Sequence, residues 1–335
     1  MKNPLVKILI SVLFSIFFLY LAFKDINLND FWESLRSTSW LLIFSASAMA
    51  ILSMFLRAWR WRKLLKSIKN IPLKTVFDFT MIGFMGNNLL PAHAGDLAKP
   101  YLLGIRENID GTAALATVLI ERLLDSVGMV TIFLAVVFFS PLPNWLKFGL
   151  AGAGGVTLLL IMLLMTMTSR ESIFRGWLLK LPDILPQKIA AKVREKLDTF
   201  LMGINVFQDW RNLIPLLGIS ILTWAHMALN ILMIMWAYPM QTSLGLFDMT
   251  VASVVTMVIL AFAIILPSAP GYIGITQLAF AFSLGFYGIS EADAVGISVI
   301  FHLTQYIPIT AGGIIILLKE GMTIRQMKGE ATEAG

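Results

Sequence analysis

Apolar runs of about 20 residues, the length a helix needs to cross the hydrocarbon core, recur along the whole chain. Each run is bounded by charge or by Pro and Gly. Only 14% of the 335 residues are charged, against about 25% in a soluble domain. Mean hydropathy is +0.80. Too few polar residues exist to coat a water-exposed surface, so the solvent for most of that surface must be lipid. The sequence therefore predicts an all-α, polytopic helical membrane protein with about seven to nine membrane segments. Residues 1–320 form a single integral membrane domain in this reading, and 321–335 a cytoplasmic tail.

Charge sets the orientation. Lys2 and Lys7 precede an apolar run ending at Phe23 that resembles a signal peptide. The run is long for that role, and Leu21-Ala22-Phe23-Lys24 is not a small-x-small cleavage site, so Leu5–Phe23 is read as a retained first helix. A second span covers Trp40–Leu56. Arg57, Arg60, Arg62, Lys63, Lys66, Lys69 and Lys74 follow with no acid among them, which places this segment on the cytoplasmic side. Trp59 and Trp61, among the arginines, fit an aromatic belt at the headgroups. The same asymmetry puts both termini inside the cytoplasmic (inner) membrane, with 25–39, Pro141–Asn144 and Pro239–Asp248 outside. Residues 169–211 form the largest polar stretch, and 188–204 within it have the apolar spacing of an amphipathic helix. It would lie on the inner leaflet or stand as a solvated bundle helix. The net charge of +6 does not point to nucleic acid, because the basic residues sit beside apolar runs, where anionic headgroups are. No cysteine is present, which excludes disulfides, thiolate metal sites and cysteine nucleophiles.

Two apolar segments are broken. Phe77–Leu90 is too short to cross and ends in a stretch with Asn87, Asn88, Pro91, His93, Gly95 and Asp96. Met249–Leu266 ends in Pro267-Ser268-Ala269-Pro270-Gly271, and Ile275–Gly288 after it is again short. Both read as re-entrant elements, tolerated at membrane depth only where protein or a wet cavity surrounds them. Each carries F-D-x-T, an apolar run, then L-P-x-x-x-G, and they approach their breaks from opposite sides. Paired broken helices of opposite direction form an inverted repeat and point to a transporter site near the midplane. Long spans are expected at Thr112–Ser140, Trp145–Thr168, Asn212–Tyr238 and Ala292–Leu318. Gly152, Gly154 and Gly155 suit a close helix contact.

Glu121, Arg122 and Asp125 stand inside the span from Thr112. Charges there are costly unless paired or wet. The two acids share one helix face and need a further cation, for which His93, Lys99 and Arg106 are the expected sources. The cluster is either a functional site or an ion-pair pin between hairpin and helix. The Asn87–Asp96 break could present N–H groups and His93 to an anionic headgroup. His226 with Asn230, and His302 with Gln305 and Tyr306, are accounted for by hydrogen bonds between helices. There is no P-loop, no H-E-x-x-H, no G-x-S-x-G and no metal-ligand spacing, and no cofactor is implied.

Three motifs in order, Asn88-Leu89-Leu90-Pro91 with Gly95-Asp96, Glu121-Arg122-x-x-Asp125, and Ser268-x-Pro270-Gly271-x-x-Gly274, resemble the lysylphosphatidylglycerol synthase transmembrane-region family, also called flippase-like domain proteins. This family includes the membrane half of multiple peptide resistance factor. The resemblance covers Val76 to Leu318. It implies a helical bundle with two re-entrant elements and lipid translocation or handling, without the lysyl transfer that belongs to a separate soluble domain. Where the family usually has L-P-x-R-x-G-E, His93 stands at the Arg and Asp96 at the Glu, and Lys99 stands where a second Arg is common. These changes weaken bidentate phosphate recognition and leave the headgroup open.

The function expected is a lipid flippase-like transporter for a phospholipid or polyprenyl-linked lipid, not an enzyme. Its substrate-binding residues would be Asn87, Asn88, His93, Asp96, Lys99, Glu121, Arg122, Asp125, Ser268 and Gly271. The rivals are a membrane-embedded transferase using Glu121, Asp125 or Asp96 as base, and a non-catalytic accessory of envelope or glycolipid biosynthesis. Partners would be lipids with anionic headgroups, with a second copy of the chain or an envelope-biosynthesis enzyme as further partner classes.

Overall fold

The computed structural model describes residues 36–90, 93–168, 210–240, 244–266 and 270–322, with short pieces at 16–20, 32–33, 190 and 193–194. Most of the first helix, nearly all of the amphipathic segment 188–204, the site candidate Ser268 and the tail lie outside the described residues.

The described chain is helical. Among the described residues the main helices are α1 (Trp40–Leu65), α2 (Leu73–Leu89), α3 (Ala94–Glu107), α4 (Gly111–Val136), α5 (Asn144–Thr168), α6 (Trp210–Ala237), α7 (Leu246–Ala263), α8 (Ile275–Gly285) and α9 (Glu291–Lys319). Five of them, α1, α4, α6, α7 and α9, are long and apolar enough to cross a membrane. Their outer faces carry exposed Phe44, Phe55, Leu134, Trp236, Ile315 and Leu318, which water would penalise and lipid does not.

Local chemistry sets the boundaries. Pro72 precedes α2, where its missing N–H costs no helical bond. α3 ends at Asn108 in the left-handed conformation, with φ 54°. Asp110 then caps α4 by accepting from the N–H groups of Thr112 and Ala113. Ser290 caps α9 through the N–H of Asp293. α1 runs nine residues beyond Leu56, the end expected from hydropathy. Arg57 and Arg60 are therefore buried in the bundle rather than placed in a cytoplasmic loop, and Trp61 is fully buried rather than part of an aromatic belt. Trp59, on the other face, is partly exposed.

α2 and α3 fold back on each other as a hairpin. The contact is so close that a Cβ on Gly95 would collide with the carbonyl oxygen of Gly83. From the turn at Asn108–Asp110, Asp96 on α3 and Arg122 on α4 lie at the same height, about 18 Å at 1.5 Å per residue. That is slightly past half of the ~30 Å hydrocarbon thickness, a reach that brings the tip to mid-depth when the turn stands at the membrane surface.

The order long helix, hairpin, long helix occurs twice, as α1 to α4 and as α6 to α9. Within each set the same neighbours pack. Across the sets, α2 packs on α9 and α4 on α7, while α1 packs on α6. α1 and α6 run antiparallel: Ser39 donates to Ala237, Asn230 to the carbonyl of Ala46, and His226 meets the carbonyl of Met49. The F-D-x-T stretches fall near the starts of α2 and α7. α5 links the two sets and packs on α4. Of the three glycines expected at a close contact only Gly154 makes one, against Val130. The main apolar core joins the second set to α4 through Phe133, Trp224, Met257, Phe280 and Phe301. A second core joins the first set around Trp61, Phe79, Leu103 and Ile120.

Candidate functional site: a charged cavity between two broken elements

Arg57, Arg60, Trp61 and Leu64 recur on one face of α1 at the i, i+3, i+4, i+7 spacing that turns them toward α4. There they meet the acids. Arg60 Nη1 lies 2.6 Å from Asp125 Oδ1 and Nη2 3.4 Å from Glu121 Oε1. Arg57 Nη1 lies 3.3 Å from Asp125 Oδ2. Ser220 on α6 accepts from Arg60, and Trp224 donates to Asp125. The cation expected for the acids thus comes from α1 as well as from Lys99, whose Nζ is 2.6 Å from Glu121 Oε2 and 4.0 Å from the centre of the Trp61 ring. His93 and Arg106 do not supply it. Arg106 pairs with Glu320 near the helix ends.

Asn87 fastens the tip of the first hairpin. Its Nδ2 donates to Asp96 Oδ1 at 3.0 Å, and its Oδ1 accepts from the Asp96 N–H at 3.1 Å. Asp96 in turn holds Arg122 Nη2 at 2.5 Å. Arg122 Nη1 stands 3.7 Å from Asp125, so the i, i+3 pair is the looser of its two contacts.

The second half meets this tip through both α9 and its broken element. Asn88 Nδ2 donates to Thr310 Oγ1 on α9 at 2.8 Å. His93 joins Tyr272 Oη at 3.0 Å through Nδ1 and the carbonyl of Ile264 at 3.2 Å through Nε2. Gly271, with φ 76°, packs so tightly that a Cβ would strike Tyr306 and approach the Asn88 carbonyl. Between the two elements is a cavity of about 400 Å³. Asn87, Asn88, His93, Asp96, Arg122, Asp125 and Gly271 all line it, whereas Lys99 and Glu121 lie behind its wall. Residues not anticipated as site residues complete the lining: Arg57, Trp224, Tyr272, His302, Gln305 and Tyr306. The remaining wall is apolar, with Met129, Val130, Leu260 and Ile265 among its residues. Among the described residues no three His, Asp or Glu side chains converge as metal ligands.

A polytopic helical bundle with paired broken hairpins and a polar cavity where their tips meet is the class defined so far. Residues 8–313 match the family described as the lysylphosphatidylglycerol synthase TM region, and the chain belongs to that family. Similar proteins include a UPF0104 membrane protein of Methanocaldococcus jannaschii, 25% identical over 255 residues that cover 73% of this chain and 98% of the relative. One from Pyrococcus horikoshii is 26% identical over 299 residues, covering 82% of this chain and 86% of the relative. One from Methanothermobacter thermautotrophicus is 23% identical over 312 residues, covering 88% and 90%.

Proposed function

We propose that this multi-pass membrane protein moves a phospholipid or polyprenyl-linked lipid between leaflets, taking the headgroup into the cavity while the tails stay in lipid. The observation that carries this reading is the division of one cavity between a polar wall, with Arg57 and Arg122, and an apolar wall whose Ile265 is 71% exposed. Ile265 brings one edge of the cavity to the outer surface of the bundle. A headgroup can then be sheltered from hydrocarbon, which charged groups do not enter unaided, without pulling its tails out of it.

A transporter suits the charge pattern better than a transferase. Asp125 is held by Arg57 and Arg60, Glu121 by Arg60 and Lys99, and Asp96 by Arg122 and Asn87. Each acid is committed as an acceptor, so a general base would have to be withdrawn from its cation first. The arrangement of two half-bundles around a shared site also fits alternating access, in which one half rocks against the other. We place the protein in the cytoplasmic membrane with both termini inside, on the Lys and Arg asymmetry.

The test is leaflet exchange of labelled lipid in liposomes carrying the purified protein. The wild-type chain should accelerate exchange over protein-free vesicles, and Arg122→Ala should abolish the acceleration while still inserting. Exchange at the protein-free rate with folded wild-type protein contradicts the reading.

A further inference from the structure

The cluster does not balance, and Arg122, with its side chain 41% exposed, is its most open member. Arg57, Arg60, Lys99 and Arg122 stand against Asp96, Glu121 and Asp125, joined in one network of ion pairs. Among the described residues four cationic side chains meet three carboxylates, which leaves one positive charge over. The surplus sits at the cavity. Arg57 and Arg122 line it and both approach the same oxygen, Asp125 Oδ2, which holds their guanidinium groups side by side. Nε of each is buried without a hydrogen-bond partner. The same is true of Arg60, but Arg60 lies outside the cavity lining. Arg57 is 94% buried by its 6% exposure, makes its one ion pair at 3.3 Å, and is held between the rings of Phe84 and Trp224 at 5.3 and 5.6 Å. Such packing fixes the plane of the guanidinium.

A buried charge without a counter-ion is costly, and two adjacent guanidinium groups at one cavity wall suit the oxygens of a phosphate. We propose that Arg57 and Arg122 form the headgroup site and that its ligand is a lipid phosphodiester carrying one net negative charge. This rests on the transport reading above and adds the substrate class. One negative charge neutralises the cluster. A zwitterionic headgroup leaves the surplus in place, an aminoacylated cationic headgroup adds to it, and a phosphomonoester dianion overshoots by one.

The experiment titrates the purified full-length protein in detergent with phosphatidylglycerol, phosphatidylethanolamine, lysyl-phosphatidylglycerol, phosphatidate or inorganic phosphate, reading binding by native mass spectrometry and thermal shift. Phosphatidylglycerol should bind about tenfold or more tighter than phosphatidylethanolamine, whose ammonium returns the positive charge that its phosphodiester removes. Arg57→Gln should erase that difference. Lipid-free Arg57→Gln should be at least as heat-stable as the parent, because it removes the surplus charge, whereas Arg60→Gln should be less stable. Equal affinity for the neutral, cationic and anionic lipids overturns the proposal. So does a preference that survives Arg57→Gln, tighter binding of phosphatidate, an Arg57→Gln that unfolds at lower temperature than the parent, or a response to inorganic phosphate as strong as to lipid. Selective binding without leaflet exchange removes the transport reading and leaves this site standing. Leaflet exchange without charge selectivity does the reverse.

Discussion

Arg60 and Asn230 hold the same position counted from the starts of α1 and α6, yet one makes an ion pair and the other a neutral hydrogen bond. Arg60 lies 2.6 Å from Asp125 on α4, while Asn230 accepts from Gln305 on α9 at 3.3 Å. Asp125 and Gln305 also match in position within their helices. So do Arg122 and His302. Arg122 is tied to Asp96 on the first hairpin, and His302 stands 3.4 Å from Gln277 on the second. The two halves use the same geometry with different chemistry, ion pairs in the first and neutral hydrogen bonds in the second.

That difference predicts unequal costs of mutation. Arg60→Gln leaves Asp125 and Glu121 short of their shared cation inside the bundle. The loss should be about 3–5 kcal/mol, the usual penalty for removing one partner of a buried pair. Asn230→Ala should cost about 1–3 kcal/mol, the range for an unpaired neutral group. Thermal unfolding of the two variants in the same detergent measures the difference, and equal losses would argue against it.

Gly271→Ala tests the meeting of the two broken elements. The residue has a positive φ, which costs an alanine about 1–2 kcal/mol. The new Cβ would also strike Tyr306. The variant should insert normally but lose leaflet exchange and melt at lower temperature. A variant with normal exchange would show that the tips need not pack this closely.

The sidedness of the chain is open to direct measurement, because it contains no cysteine. A single cysteine at position 66 should resist a membrane-impermeant thiol reagent added outside whole cells. One at position 143, in the turn before α5, should react. The opposite pattern would invert the topology.

Much of the bundle was legible because lipid makes long apolar runs unambiguous and because Pro, Gly and Asn mark the breaks at mid-depth. The tip residues Asn87, Asn88, His93 and Asp96 were legible for the same reason, since polar side chains in so short a broken segment need partners. Arg57 and Arg60 were not. Basic residues directly after an apolar run normally mark its cytoplasmic end, and only the acids on α4 make it favourable to draw these two inside. Their spacing with Trp61 and Leu64 was the available signal, because Arg62, Lys63 and Lys66 fall on another face. Nor did the sequence separate Lys99 and Glu121 from the lining residues, since a buried ion pair behind a wall has the same composition as one within it. His302, Gln305 and Tyr306 looked like ordinary helix-to-helix contacts until α9 was placed beside the first hairpin.

The central claim is that lipid passes where the tip of the first hairpin meets the second half, and a reversible cross-link between that tip and α9 tests it most directly. Asn88 on the first hairpin and Thr310 on α9 are 2.8 Å apart across this contact. Replacing both with cysteine in the cysteine-free chain allows the contact to be closed by an oxidant and reopened by a reductant in the same liposomes. The account predicts that the oxidised protein exchanges labelled lipid no faster than protein-free vesicles, and that reduction restores the rate of the uncross-linked variant. Equal exchange in the oxidised and reduced states, with cross-linking complete on a gel, would contradict it.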